Sequence, residues 1–500
     1  MELLSPAGNV KKLYCAYAYG ADAAYIGLKH FSLRVKADNF YGDEYEAVCE
    51  LKKRFPGKKL YCALNIAFHN DDIASFQNDI DYFKRYPIDA FIVQDLGIVP
   101  ILQKEFPDAA LHLSTQASCI NASAALFYKR LGFKRIVLGR EASLKEIREI
   151  KDAVPDVELE AFCHGAMCIA YSGRCLMSAY LTGRSAQSGF CSHTCRWNFS
   201  VSADGNRFLS ADENRFFNAS DAKRLASSGA LGLSEEKRAG EYFPIFEGDA
   251  FTAVLSSKDL NMIDKLSDMK DAGIDAIKIE GRMKSAYYVA LVTRAYRKAL
   301  DALDGKITSE AAAPFIAELE NVPHRESTTG FYYGREEADV TTSGASDSPY
   351  ALAAEIGNEV SEEKQRAIFL RGQKTVRDFQ SSLAALCDEA RFARERDLKN
   401  HPEKIPAAAE KKDGWRMYEF TPLNKIDAAD TLEIISPGCA LQKAEEGRWC
   451  LIDPETGTVR SWTFDGHPCV LYSSMPLECA SLVRIRDEGY RPEGVRKSKR

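Results

Sequence analysis

Residues 110–141, ALHLSTQASCINASAALFYKRLGFKRIVLGRE, decide how this chain is to be read. Ala110 to Leu113 is a short apolar run that stops at Ser114-Thr115-Gln116. Ala122 to Leu131 has helical spacing and closes at Gly132, a natural left-handed stop. Arg135 to Leu138 is apolar again and stops at Gly139-Arg140-Glu141. Strand, helix and strand in that order are the unit of a parallel sheet.

The same rhythm extends both ways. Toward the N-terminus, Glu2 to Leu4, Ala23 to Ile26, Lys59 to Leu64 and Ala90 to Val93 read as strands. Val10 to Tyr19, Asp43 to Phe55 and Asp72 to Tyr86 read as the helices between them. Toward the C-terminus, Ser143 caps a helix running to about Val154, with Glu146 at the capping-box position. Val157 to Phe162 is a seventh strand. Ala276 to Ile279 is an eighth, flanked by helices at Met262 to Ala272 and Tyr287 to Leu300. Eight such strands give an α/β fold, a (β/α)8 TIM-type barrel over residues 1–340. A doubly wound open sheet is the alternative, weakened because no G-x-G-x-x-G follows the first strand.

A barrel carries its chemistry at the C-terminal strand ends. Those ends hold Asn65, Gln94, Asp95, Gln116, Arg140, Glu141, His164, Glu280 and Arg282. Each alone reads equally well as turn chemistry or capping; together they form a candidate polar pocket.

Composition narrows the class. The 500 residues are 45% hydrophobic and 28% charged, enough for a sizeable core. Lys plus Arg number 66 against 72 Asp plus Glu, a net charge of −6, which excludes a protein that is basic throughout. Met1-Glu2-Leu3-Leu4-Ser5-Pro6 lacks the basic and apolar regions of a signal peptide, and no apolar run is long enough to span a membrane. The expectation is a cytoplasmic protein whose cysteines are thiols, metal ligands or redox groups.

Five of the 14 cysteines fall between Cys163 and Cys195. Cys168, Cys175, Cys191 and Cys195 give C-x6-C-x15-C-x3-C, inside a Cys-rich insertion over 163–250. Four thiolates so spaced suit an iron–sulfur cluster, with zinc or reactive thiols as alternatives, and Cys163 or His193 could replace a ligand. Cys15, Cys49, Cys62 and Cys119 sit in apolar runs and read as small core residues. There is no H-E-x-x-H, G-x-S-x-G or P-loop. A thiol peptidase pairing a clustered cysteine with His164 or His193 stays open.

With these residues in view, the chain resembles the peptidase U32 family over about residues 1–335. The resemblance is carried by Glu2-Leu3-Leu4-Ser5-Pro6-Ala7-Gly8, Phe31-Ser32-Leu33-Arg34 and His112-Leu113-Ser114-Thr115-Gln116. It continues through His164-Gly165-Ala166-Met167-Cys168, Ser172-Gly173-Arg174-Cys175, Cys195-Arg196-Trp197 and Lys278-Ile279-Glu280-Gly281-Arg282-Met283-Lys284-Ser285. It implies a barrel and, despite the peptidase label, oxygen-independent hydroxylation with a [4Fe–4S] cluster on Cys168, Cys175, Cys191 and Cys195. It implies tRNA wobble uridine as substrate, with rRNA as the alternative, and prephenate as a linked metabolite. A U32-type peptidase and a non-catalytic zinc- and RNA-binding protein are the competing classes; homo- or hetero-oligomers are both open. Three departures stand out: Asn261 where a cysteine is expected, Cys163 where an apolar residue is usual, and an extra segment at 204–235.

Within that reading Arg282, Arg140 and Lys278 are candidates to hold an anionic co-substrate, because a carboxylate suits a guanidinium fork. Glu280 or His164 would move protons, and Asn65 and Gln116 complete the polar lining.

Beyond residue 350 the pattern changes. Ala351–Ile356, Arg366–Leu370, Trp415–Phe420, Thr431–Ser436, Trp449–Asp453 and Cys469–Tyr472 read as short strands of a small antiparallel β-barrel domain over 350–488. A helical insertion at about 374–412 interrupts it, on the spacing of Phe379, Leu383, Leu386 and Ala390. A basic tail occupies 489–500. The longer U32 members resemble this arrangement.

Overall fold

The computed structural model describes residues 1–29, 31–33, 39–168, 170–173, 175, 178, 246–248, 251–253, 257–334 and 348–486. Cys191, His193, Cys195, the 204–235 segment and the basic tail lie outside the described residues. Two compact units divide at Asp347/Ser348. No described helix is long and apolar enough to cross a membrane.

The first unit is a closed barrel. Its strands are β1 (Glu2–Pro6), β2 (Ala23–Ile26), β3 (Lys59–Leu64), β4 (Ala90–Val93), β5 (Ala110–Leu113), β6 (Arg135–Val137) and β7 (Glu158–Ala166). After β8 (Asp259–Asn261), β9 (Ala276–Ile279) completes the ring. β9 pairs in parallel with both β1 (Glu2↔Ala276) and β7 (Glu160↔Ala276), so the sheet closes on itself and the open-sheet alternative is excluded. β8 runs antiparallel to β7, with Asn261 opposite His164, and β10 (Ser327–Thr328) extends it in parallel.

Helices α1 (Val10–Ala18), α2 (Glu44–Arg54), α3 (Asn70–Asn78), α4 (Ile80–Lys84), α5 (Val99–Glu105), α6 (Ala122–Arg130), α7 (Leu144–Ala153), α8 (Leu266–Asp271) and α9 (Ala286–Leu303) fill the connections, and α10 (Ser309–Ala317) follows. The capping box before α7 forms as expected: Glu146 N donates to Ser143 Oγ at 3.3 Å and Ser143 N to Glu146 Oε2 at 2.8 Å. The helix expected over 72–86 is instead two, broken at Asp79.

The barrel floor is a buried ion network. Arg135 Nη1 lies 2.6 Å from Glu2 Oε1 and 3.2 Å from Glu160 Oε2. Glu160 Oε1 takes Lys278 Nζ at 2.9 Å. Glu160 is fully buried and Lys278 nearly so. Charges from β1, β6, β7 and β9 thus meet inside the ring, each neutralised by a neighbour, the condition for keeping charge out of water.

The second unit is an antiparallel half-barrel. Its strands are β11 (Tyr350–Glu359), β12 (Arg416–Pro422), β13 (Ile426–Asp427), β14 (Leu432–Ile435), β15 (Gln442–Ala444), β16 (Trp449–Ile452), β17 (Val459–Arg460), β18 (Trp462–Thr463), β19 (Cys469–Ser473) and β20 (Leu482–Arg486). Eight of them form one sheet in the order β15-β14-β20-β11-β12-β19-β16-β17 around a core that includes Phe420, Ile434, Trp449 and Leu471. β13 and β18 pair separately.

One strand expectation is corrected here. Arg366–Leu370 lies inside helix α11 (Glu362–Ala384), so the helical insertion begins well before residue 374. Ser361 caps the helix by accepting from Lys364 N, and Glu362 and Glu363 complement its N-terminal dipole. Ile368 and Phe369 pack with Val470 and Tyr472 as one face of that helix. A second helix, α12 (Asp388–Asn400), follows.

Candidate active site

The ends of β6, β7 and β9 build the polar side of the mouth. Arg140 follows β6, and its guanidinium lies 3.9 Å above the Phe162 ring of β7. Nη1 donates to the Ala166 carbonyl at 3.2 Å, and Nη2 stands 3.6 Å from Glu280 Oε2, beyond β9. Both side chains are largely buried, which strengthens their attraction. Arg140 Nε is buried with no hydrogen-bond partner among the described residues, and so is Gln94 Oε1 at the end of β4. Unmatched buried polar atoms are costly, so each of these two calls for a partner such as a polar ligand.

Arg282 and Asn65 have a different task. Arg282 Nη2 donates to Ser32 Oγ at 2.7 Å, and Asn65 Oδ1 accepts from Leu33 N at 3.1 Å. Both hold the short segment after β2. The fit around Arg282 needs a glycine: a Cβ on Gly27 would lie 2.3 Å from Arg282 Nη1 and 2.6 Å from Ser32 Oγ. Gly27→Ala is therefore expected to displace Arg282, to cost about 1–3 kcal/mol by overpacking, and to lower activity at least ten-fold. Thermal melting and product analysis of the same preparation check this.

Gln116 is buried in the tight turn after β5, and Thr115 Oγ1 ties that turn to the Leu138 carbonyl at 2.9 Å. Asp95 spends its carboxylate on turn amides, accepting from Gly97 N and Phe68 N.

Two candidate roles read from sequence are corrected. Lys278 does not face an incoming anion; its ammonium points to Glu160 in the floor network. His164 is not at the mouth. A β-bulge places Phe162 opposite Lys278 but His164 opposite Ile279, so the alternation of β7 breaks at Cys163. His164 then packs against Tyr288 and Tyr296 of α9, with Tyr296 Oη 3.4 Å from its Nδ1. The turn at Gly165 has φ +105°, and a Cβ there would meet the Glu280 carbonyl at 2.5 Å, so only glycine fits.

Burial pushes the His164 imidazole down to about 4, against the attraction of Asp259. A depressed imidazole stabilises the fold above the unfolded value near 6.5, and that stability is lost as pH falls from there toward 4. The full loss is about 3 kcal/mol. Burial depresses His112 in the same direction. Melting curves between pH 7.5 and 4.5 should show this decline, with a shallower slope in His164→Asn.

Cys163 is fully buried, donates to the Lys278 carbonyl at 3.4 Å, and has its thiol pushed well above the ordinary range by burial. Cys163 and His164 therefore form no thiolate–imidazole pair for a peptidase. Cys15, Cys62 and Cys119 are core residues, with burial pushing Cys62 up to about 12; Cys49 is half-buried.

Glu141 is a candidate site residue that sequence reading left among the strand ends. Its carboxylate takes Ser172 N and Ser172 Oγ, each at 2.5 Å. Ser172 lies between exposed Cys168 and half-buried Cys175. The clamp ties the cysteine-bearing turn to the end of β6, one residue from Arg140. The available signal was a carboxylate at a strand end and a Ser-Gly turn between two cysteines.

The model of peptidase family U32 matches residues 8–342. The chain is 36% identical over 342 residues to tRNA hydroxylation protein P of Escherichia coli, covering 66% of this chain and 74% of that one. It is 34% identical over 419 residues to tRNA hydroxylation protein P1 of Bacillus subtilis, covering 81% and 90%. It is 35% identical over 367 residues to an Escherichia coli 23S rRNA 5-hydroxycytidine synthase, covering 72% of this chain and 49% of that one.

Proposed function

The chain belongs to peptidase family U32, and from that premise we propose that it hydroxylates RNA, forming 5-hydroxyuridine at a tRNA wobble position without molecular oxygen. The names of its relatives support RNA as the substrate class. The observation that carries the reading is the Glu141–Ser172 clamp, which holds Ser172, between Cys168 and Cys175, to the residue after Arg140, the partner of Glu280.

The residues fit an iron–sulfur cluster. Cys168 and Cys175 are free thiols, neither is packed into the core, and Ser172 between them is held by Glu141. Cys191 and Cys195, outside the described residues, would complete a four-thiolate donor set, which suits a [4Fe–4S] cluster. When bound, the cluster supplies redox chemistry at the mouth.

The chain's own groups do the rest. Arg140, backed by the Phe162 ring, presents its unmatched Nε to a carboxylate such as those of prephenate. Glu280 balances Arg140 before the anion arrives and can hold a proton at Oε2. Gln94 Oε1 accepts from a ligand N–H or O–H. Arg282 and Asn65 position the segment after β2.

Two measurements test this. Anaerobic purification should yield about four irons and four sulfides per chain; stoichiometric zinc without iron would refute the cluster. Nucleoside mass spectrometry of tRNA and rRNA from a deletion strain should show loss of a hydroxylated pyrimidine; unchanged RNA would refute the function. Arg140→Met should retain iron but raise the co-substrate concentration needed for half-maximal rate at least ten-fold, since a charge-assisted contact is lost.

A further inference from the structure

The second unit carries an aromatic surface that its own core does not use. β18 pairs with β13, Thr463 opposite Ile426 and Trp462 opposite Asp427. Thr463 and Ile426 are fully buried, so the inner face of this ribbon is packed. Alternation sends Trp462 and Phe464 to the other face. They are 44% and 39% exposed. Their rings stack, with centroids 5.4 Å apart and planes within 16°. His467 continues the surface at 3.9 Å from Phe464.

The arrangement is held in place. His467 N donates to the Phe464 carbonyl at 3.0 Å, and Thr463 Oγ1 donates to the His467 carbonyl at 3.2 Å. The backbone that carries the rings is therefore fixed before any ligand arrives, which lowers the entropy cost of binding. Extending the register puts Lys425 across from Phe464. Its ammonium is paired to Asp427 at 2.8 Å, with side chains 66% and 47% exposed. A pair so exposed is weak and readily exchanged for a phosphate.

We infer that Trp462, Phe464 and His467 are a stacking platform for unpaired nucleobases of the RNA, with Lys425 placed for the adjoining phosphate. The inference rests on the RNA-hydroxylase reading above. The near-parallel Trp462 and Phe464 rings offer a flat π surface, which matches flat bases. The stacking part of the gain is insensitive to salt, whereas a phosphate contact at Lys425 weakens as salt rises.

The test uses the full-length protein and a short oligouridine, with an RNA duplex of equal length as comparison. Trp462→Ala/Phe464→Ala should bind oligouridine roughly 5- to 100-fold more weakly, by a factor unchanged between 50 and 200 mM salt, with a small effect on duplex. Trp462→Phe should keep most of the affinity but lose most of the tryptophan quenching that the RNA produces. Equal affinity in the double variant, or quenching that survives Trp462→Phe, overturns the platform while nucleoside analysis of the deletion strain still judges hydroxylation independently. If wild type does not bind oligouridine, the platform is refuted, and the nucleoside analysis alone decides hydroxylation. If the double variant loses only self-association in sedimentation, the patch is a contact between copies and the inference is wrong.

Discussion

Cys175→Ala is expected to purify as a folded chain with no bound iron and no RNA-hydroxylating activity. Cys175 is half-buried and Cys168 exposed, so removing either thiol opens no cavity in the barrel core. The melting temperature of the metal-free protein should therefore stay within a few degrees of that of metal-free wild type. A thiolate ligand has no substitute in alanine, so the loss of cluster should be complete rather than graded. Glu141→Gln makes the useful comparison: it retains all the cysteines but weakens the two bonds to Ser172. That variant should bind iron and lose it faster on exposure to air. If Cys175→Ala retains stoichiometric iron and full activity, the ligand set is wrong. If it retains peptidase activity while losing iron, the family label describes the chemistry better than hydroxylation does.

The sequence made the barrel legible because each strand was short, apolar and closed by a polar residue, and each helix carried caps and spacing. What it could not show was where alternation breaks. His164 looks like a mouth residue at the end of an apolar run; one extra residue at Cys163 turns it to α9 instead. Lys278 has the right strand and the wrong direction for an anion, and its partner Glu160 lies 118 residues away. Arg366–Leu370 reads as a strand because an apolar run this short has no period, although Ser361-Glu362-Glu363 is a readable helix start. The half of the candidate site held by Cys168, Cys175, Arg140 and Glu280 was legible by residue type. Their link through Glu141 was not, because a hydrogen bond across 31 residues leaves no spacing signal.

The largest effect on stability is expected from Glu160→Gln. The carboxylate of Glu160 holds both Lys278 and Arg135 inside the barrel, and it is fully buried. Arg135 keeps Glu2 and Glu158 when Glu160 is neutralised. Among the described residues Lys278 keeps the faces of Tyr25 and Phe162, at 4.5 and 5.6 Å, besides the new amide. Leaving one buried ammonium without its counter-charge costs about 3–5 kcal/mol, a melting shift on the order of 10 °C. The cause is the stranded charge, not the lost attraction, and a cycle separates the two. Lys278→Met alone strands less, because Glu160 still has Arg135. Glu160→Gln with Lys278→Met removes the unpaired ammonium and should recover more than half of the loss. Additive losses in the double variant would show that Glu160 acts through Arg135 or through packing. Full recovery would show that the Glu160–Lys278 pair adds little net stability and that the floor tolerates an apolar contact in its place.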